Sequence, residues 1–262
     1  MLLECLLKVE MLFFLLAALC RGVFGRCDVS PDGQGRVTLP GDWDSVPSQA
    51  FEDCKTLKSV TIGNSNTLSS LGAEAFQGCT SLISINLEEA TSLHTIGHSA
   101  FESSGLESVT LPASLEYIYY EAFYHCKSLR SVTLSAGIGL VELQYSAFYE
   151  TPLLASINLE AATKLEVIGN HAFRKSGLNS IIVPSSVNSL GFDAFRESQF
   201  LYTAIFLDGS HLETVTDRSF YDCSSLISVD FGTSMVLKGI ALQAFEYTHL
   251  VEVHIPQSVL LI

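Results

Sequence analysis

Apolar and polar positions alternate in short segments that recur at fixed distances along the chain. In one such segment, apolar residues at Leu82, Ile85 and Leu87 alternate with the polar residues Ser84 and Asn86. This alternation predicts a short strand with one buried and one exposed side. A single segment of this kind cannot bury its own apolar side, so neighbouring copies must stack on it.

Each of these units also carries a Phe at one fixed phase. Ala precedes this Phe in every case except Phe220, where Ser219 does. We interpret the Ala-Phe pair as a short helical turn between strands. Successive members are 25 or 22 residues apart, and they are Phe51, Phe76, Phe101, Phe123, Phe148, Phe173, Phe195, Phe220 and Phe245.

Three units form a larger block that has been duplicated. Residues 29–100 align with residues 101–172 without a gap, with 29 identities in 72 positions. Self-similarity at such periods is typical of solenoids. The sequence therefore predicts a solenoid of about ten rungs of 22 or 25 residues, with the strands of neighbouring rungs parallel. Residues 26–50 are predicted to be an N-terminal capping partial repeat, and residues 51–262 full repeats with an incomplete C-terminal one.

Two recurring elements, A-F-x-x-C-x-x-L-x-x-I-x-L and S-x-T-L-P-x-S-L-x-x-I, resemble the BspA-like, or Treponema-type, leucine-rich repeat family. The resemblance covers residues 29–262. It implies a curved α/β leucine-rich-repeat solenoid, with the parallel strands on its concave face, on a secreted or surface-attached protein that serves adhesion and protein binding. The family has no defined catalytic residues, so the resemblance assigns none here.

The N-terminal segment resembles an export signal. Met11 to Cys20 is a ten-residue apolar run followed by Arg21. This run is about half of the roughly 20 residues that a membrane-spanning helix needs, and it suits the apolar core of a signal peptide. Residues 1–25 are therefore predicted to be a signal peptide, which predicts secretion or an extracellular cell-surface location. The alternative is a hydrophobic extension that the mature chain retains.

Charge and motif content exclude several function classes. Lys and Arg total 14 against 28 Asp and Glu, which argues against nucleic acid and against anionic lipid because both require clustered cations. A membrane link is expected only through a C-terminal anchor outside this sequence. No nucleophile elbow or phosphate-binding glycine loop occurs, and Gly97 interrupts the helical spacing of His94 and His98. We predict no catalysis, small-molecule substrate, cofactor or metal site.

Cysteines recur three residues after the repeat Phe, at Cys54, Cys79, Cys126 and Cys223, and Ser or Thr fills this column elsewhere. The simplest interpretation is a small residue buried where the chain bends. Adjacent rungs lie within the Cα separation that a disulfide accepts, so a Cys54–Cys79 disulfide is a second interpretation. Cys27 could pair with Cys54 instead. Cys126 and Cys223 are predicted to be free thiols.

Two groups of outward residues are candidate binding surfaces. Early units present Ser, Thr and Asn on the strands, whereas later units present apolar side chains there. Contiguous exposed apolar residues often mark a binding site, and this concave group comprises Ile182, Tyr202, Ile205, Ile227 and Val251. Tyr and Arg, which are enriched at binding hot spots, occupy a column on the outer turn at Tyr124, Tyr149, Arg174, Arg196 and Tyr221.

These observations favour a secreted or cell-surface protein that binds an extracellular protein or glycan without catalysis. A structural spacer or stalk in a larger surface protein is the alternative. A third hypothesis is that the Ser/Thr ladder recognises polysaccharide or ice.

Overall fold

In the computed structural model, residues 26–63, 67–233 and 236–260 are described. The predicted signal peptide, residues 1–25, lies outside the described residues. The described chain forms a parallel β-solenoid, which confirms the predicted leucine-rich-repeat architecture. Each rung contributes a strand to two separate faces, and a turn around the repeat Phe connects one rung to the next.

The face that carries the Ser/Thr column is here called the ladder face. Its strands pair in parallel and in register, so that Ser108 lies opposite Ser131 and Thr110 opposite Thr133. The alternating burial along each strand places Val109 and Val132 in the core. The strands of this face are Arg36–Thr38, Ser59–Thr61, Ser84–Ile85, Ser108–Leu111, Ser131–Leu134, Ser156–Ile157, Ser180–Val183, Thr203–Phe206, Ser228–Asp230 and Glu252–His254.

A second face is built from two-residue strands that are also parallel. Each of them buries its second residue; in Tyr117–Ile118, for example, the buried residue is Ile118. These strands are Ser45–Val46, Ser70–Leu71, Thr95–Ile96, Tyr117–Ile118, Glu142–Leu143, Val167–Ile168, Ser189–Leu190, Thr214–Val215 and Gly239–Ile240.

The helical turn expected at Ala-Phe is not formed. Around Phe76, backbone N–H groups alternate between two kinds of acceptor. Those of Ala75 and Gln77 donate three residues back, whereas that of Phe76 donates to Ala100 in the next rung. Residues two before and two after the Phe have positive φ, as at Glu74 and Gly78. These left-handed residues stop helix propagation, and the turn satisfies its donors by pairing with the next rung instead. The described residues contain only two 3-10 turns, Leu87–Glu89 and Leu159–Ala161.

The repeat Phe residues form the centre of one continuous core. The rings of neighbouring rungs are nearly parallel, with centroids 4.9 to 5.4 Å apart along the whole column. From Phe51 to Phe220 these rings are fully buried. The core is therefore extended along the axis, and each ring packs mainly against the rings of the two neighbouring rungs.

Of the two disulfides that the sequence left open, Cys27–Cys54 is formed, with a Cα–Cα distance of 5.5 Å, and Cys54–Cys79 is wrong. The segment before the first strand crosses the first Phe turn, where Arg26 N–H donates to the carbonyl oxygen of Glu52 and Asp28 N–H to that of Ala50. These two hydrogen bonds hold Cys27 beside Cys54 at the end of the stack. Cys79 remains a buried thiol in the next rung.

Burial keeps the remaining thiols of the described chain protonated. It raises the pKa of Cys79, Cys126 and Cys223 to about 12, and each thiol donates to the carbonyl oxygen of a repeat Phe in the preceding rung. We therefore expect alkylation to be slow in the native protein at neutral pH and rapid after denaturation, because the thiolate is the reactive form. Timed labelling with peptide mapping measures this, and equal native and denatured rates would contradict it.

Candidate functional site

The ladder face presents the predicted column of small hydroxyl side chains. Within each of its three sheets, the strand register brings consecutive members opposite one another, as the repeat predicts. The column comprises Ser59, Ser84, Ser108, Ser131, Ser156, Ser180, Thr203 and Ser228. Small polar side chains at these positions leave the sheet surface open to a ligand.

Two asparagines within this ladder have a structural role that the sequence did not reveal. The Oδ1 atom of Asn86 accepts a hydrogen bond from the backbone N–H of Ile62 at 2.7 Å, and its Nδ2 atom donates to the Ile62 carbonyl at 3.2 Å. Asn158 makes the same pair of bonds to Leu134. Each Asn replaces the backbone pairing that is lost where the strand gives way to a 3-10 turn. The sequence feature that could have indicated this role is the recurrence of the two Asn residues 72 positions apart.

The ladder face is split at these two places, and a shallow groove lies at each split. Strands Ser84–Ile85 and Ser108–Leu111 belong to separate sheets, as do Ser156–Ile157 and Ser180–Val183. The first groove, of about 450 Å³, includes Glu88 in its lining. The second, of about 400 Å³, includes Glu160. The duplication of the three-unit block therefore gives two related grooves, of which the second also includes Ile182 in its lining.

Beyond the grooves, the ladder face becomes apolar. The register places Ile205 between Ile182 and Asp230 in one column, as predicted. Thr203 lies opposite Ser180, and Tyr202 precedes Thr203 at the start of this strand. The residues Ile182, Tyr202, Ile205, Ile227 and Val251 are called the apolar patch below.

A second row of the apolar patch runs beside the strands. Tyr202 N–H donates to Asn179, Ile227 N–H to Tyr202, and Val251 N–H to Ile227. These bonds place Tyr202, Ile227 and Val251 in consecutive rungs, one position before the strand. The exposed fraction is 52% for Tyr202, 46% for Ile227 and 38% for Ile205. Each of these three has a described rung on either side, so its exposure is a property of the face and not of the solenoid end.

The outer-turn candidates form a stack along the solenoid axis. The rings of Tyr124 and Tyr149 are stacked with centroids 5.1 Å apart. The guanidinium of Arg174 lies 5.6 Å from the Tyr149 ring centroid, and that of Arg196 lies 4.8 Å from the Tyr221 centroid. The structure thus brings these predicted residues together, with aromatic rings on either side of the two arginines.

The outer-turn cations are largely paired within the chain. Glu197 Oε1 lies 2.8 Å from Arg174 Nη2 and 2.9 Å from Arg196 Nε. Burial opposes ionisation of Glu197, but the hydrogen bond from Arg174 and the neighbouring cations outweigh it and hold the Glu197 pKa below its usual range. This pairing reduces the charge that the turn offers to a partner.

Asp193 is a buried carboxylate beneath this turn that sequence reasoning missed. Its oxygens lie 3.0 Å from Arg218 Nε and 3.6 Å from Arg196 Nη1, and the side chain of His171 is 3.8 Å away. Desolvation and the neighbouring arginines lower the His171 pKa, although Asp193 acts in the opposite direction. These ion pairs link three consecutive rungs and support the turn from inside.

Other functional features are absent from the described ranges. Residues 26–63, 67–233 and 236–260 hold no group of three or more His, Cys, Asp or Glu placed to bind a metal. No helix in the same ranges is long and apolar enough to cross a membrane.

Comparison with known proteins gives a family profile and several similar structures. Residues 34–142 and 141–262 match the profile of the BspA type leucine-rich repeat region, which has 6 copies. A leucine-rich repeat protein from Bacteroides ovatus is 23% identical with a TM-score of 0.51, over 87% of this chain and 76% of that chain. This likeness supports the fold. A search of curated proteins found no match.

Two further structures are less similar in geometry. The pneumococcal vaccine antigen PcpA is 18% identical with a TM-score of 0.48, over 86% of this chain and 62% of that chain. A leucine-rich repeat protein from Treponema pallidum is 24% identical with a TM-score of 0.36, over 76% of this chain and 71% of that chain.

Proposed function

We propose that this chain, which belongs to the BspA type leucine-rich repeat family, is a non-catalytic protein that binds a protein partner on its ladder face. The observation that supports this most is the apolar patch. Ile205 lies in a column that carries only Thr or Asn from Thr61 to Asn158. Tyr202 and Ile227 lie beside it in the row one position before the strands, and all three remain exposed. An apolar side chain that stays in water contributes little to folding, so a contact with a partner is the economical explanation.

The proposed location is outside the cell or on its surface. The apolar run Met11–Cys20 suits an export signal. The Cys27–Cys54 disulfide suits an oxidising compartment, since cytosolic thiols are normally kept reduced. These are two independent observations, one from the sequence and one from the structure.

The test compares the two candidate surfaces with matched charge-introducing variants. Ile205→Asp is expected to weaken binding of the native partner by roughly tenfold or more, because burying an Ile contributes about 1.5–3 kcal/mol. Arg174→Glu is expected to leave binding nearly unchanged, because the Arg174 guanidinium is already paired with Glu197. Pull-down from the native extracellular milieu, followed by affinity measurement, gives both values.

The same experiment separates the alternatives. Loss of the partner only in Arg174→Glu would move the binding site to the outer turn. Retention of the partner in both variants would favour the spacer function. Circular dichroism and thermal unfolding of each variant are needed to show that the solenoid is intact.

A second candidate function, glycan binding, is favoured by the two grooves at the splits of the ladder face. Their linings combine hydroxyl groups with Glu88 or Glu160. Hydroxyl and carboxylate side chains of this kind can exchange hydrogen bonds with sugar hydroxyls. Binding of a glycan that survives Ile205→Asp and is lost in Glu88→Gln/Glu160→Gln would support this candidate over the first.

A further inference from the structure

The apolar patch lies among carboxylates. Asp230 follows Ile205 in the same column of the ladder face. Glu252 follows Val251 in the chain and lies opposite Ser228. Both carboxylates are exposed. A partner that covers the apolar patch therefore contacts two negatively charged side chains at the edge of the patch.

No Lys or Arg offsets this charge on the same part of the face, where the one basic side chain among the described residues is the imidazole of His254, opposite Asp230. The four consecutive rung segments that form it contain no Lys or Arg, and they are residues 179–182, 202–205, 227–230 and 251–254. Basic residues elsewhere in these rungs are paired within the chain: Arg174 and Arg196 on the outer turn pair with Glu197, and Lys238 beside the second face pairs with Glu213. The formal charge of the whole chain is −14. The nearby carboxylates and the net charge of the whole chain therefore both give a negative potential at the apolar patch.

We propose that the partner segment held by the apolar patch is cationic and apolar, with Lys or Arg flanking the side chains that cover Tyr202 and Ile205. This inference rests on the proposed function and specifies its partner. An acidic segment would be repelled by Asp230 and Glu252 and slowed by the net charge of the chain. A neutral apolar segment would leave both carboxylates without a counter-charge at the edge of the interface. Cations at these positions also steer the encounter, so the association rate should fall as salt rises.

Three synthetic peptides of equal length provide the probes: one alternates Lys with Leu, one Glu with Leu, and one Lys with Ser. Titration calorimetry with the full chain is expected to show the tightest binding for the Lys/Leu peptide. Ile205→Asp should weaken that binding by tenfold or more, and Asp230→Asn/Glu252→Gln should weaken it by roughly threefold to tenfold.

The matched control is Glu88→Gln/Glu89→Gln. It changes the net charge of the chain by the same amount, in the Leu87–Glu89 turn beside the first groove, whose lining contains no residue of the apolar patch. It should leave the affinity for the Lys/Leu peptide nearly unchanged. Equal weakening by both double variants would show that only net charge matters and would overturn the inference. Equal binding of the Lys/Ser peptide would overturn it as well, because the apolar contact would then be dispensable.

The remaining outcomes separate this inference from the proposed function. Tighter binding of the Glu/Leu peptide, or no binding of any peptide, would overturn the cationic partner. If the native partner is lost in Ile205→Asp but unaffected by Asp230→Asn/Glu252→Gln, the proposed function stands and the inference fails. If Ile205→Asp leaves the native partner bound, both fail together.

Discussion

Phe123→Ala and Phe148→Ala are each expected to lower the free energy of unfolding by about 3–5 kcal/mol. Both rings are fully buried. Phe148 lies 4.9 Å from the Phe123 ring and 5.3 Å from the Phe173 ring, measured between centroids. Truncation to Ala removes both stacks and leaves a cavity that the parallel backbone ladder prevents from collapsing. Because each rung contacts mainly its neighbours, the loss also uncouples the two halves of the solenoid.

Urea unfolding of the purified variants measures the effect, and Phe245→Ala is the matched control. Phe245 occupies the same phase of the repeat but is only partly buried, so its truncation should cost less than that of Phe148. A loss below about 1 kcal/mol for Phe148→Ala would be inconsistent with a ring column at the centre of the core. A broadened transition would indicate that the two halves unfold separately.

Cys54→Ser is expected to destabilise the protein by about 3 kcal/mol, because the disulfide closes a loop between residues 27 apart in sequence and restricts the unfolded chain. The substitution itself fits the site. Thr151, in the same column, is buried and donates to the carbonyl oxygen of Phe148 in its own rung at 2.8 Å, a contact that does not require a preceding rung. The expected loss thus reports on the covalent bond and not on packing.

Cys223→Ser is the control for this experiment, since it makes the same chemical change in the same column without breaking a disulfide. The Cys223 thiol donates to the Phe195 carbonyl at 3.0 Å, and a Ser hydroxyl can replace it. We expect a change of less than about 1 kcal/mol. Thermal unfolding under non-reducing conditions compares the two variants, and equal stabilities would show that the Cys27–Cys54 bond contributes little.

The repeat made much of the fold readable from the sequence. Neighbours along a solenoid are separated by about one period, so aligning the units identifies Ile205, 23 residues after Ile182, and Asp230, 25 residues after Ile205, as the residues that lie opposite one another. The same counting identified the Phe column, the hydroxyl ladder and the isolation of Cys126 and Cys223. Period alone was sufficient because parallel strands in register convert sequence distance directly into position along the axis.

The repeat period did not predict which residues meet at the end of the solenoid or within one rung. Cys54 has Cys79 one period away, yet it bonds to Cys27, whose segment crosses the first turn instead of continuing the repeat. Tyr202 precedes the strand by one position, and its place beside Ile227 follows from backbone pairing rather than from alternation. In both cases the path of the backbone decided which residues meet.

The sequence by itself determined the solenoid, its core columns and the apolar character of the later ladder face, because these depend on residue type at a fixed phase. Only the tertiary structure decided how the polar groups are satisfied. Asn86 bonds to the backbone of Ile62 where the strand ends, and Asp193 is buried between Arg196 and Arg218. Hydrogen bonds and ion pairs depend on distance and direction between particular atoms, which the period of a sequence does not specify.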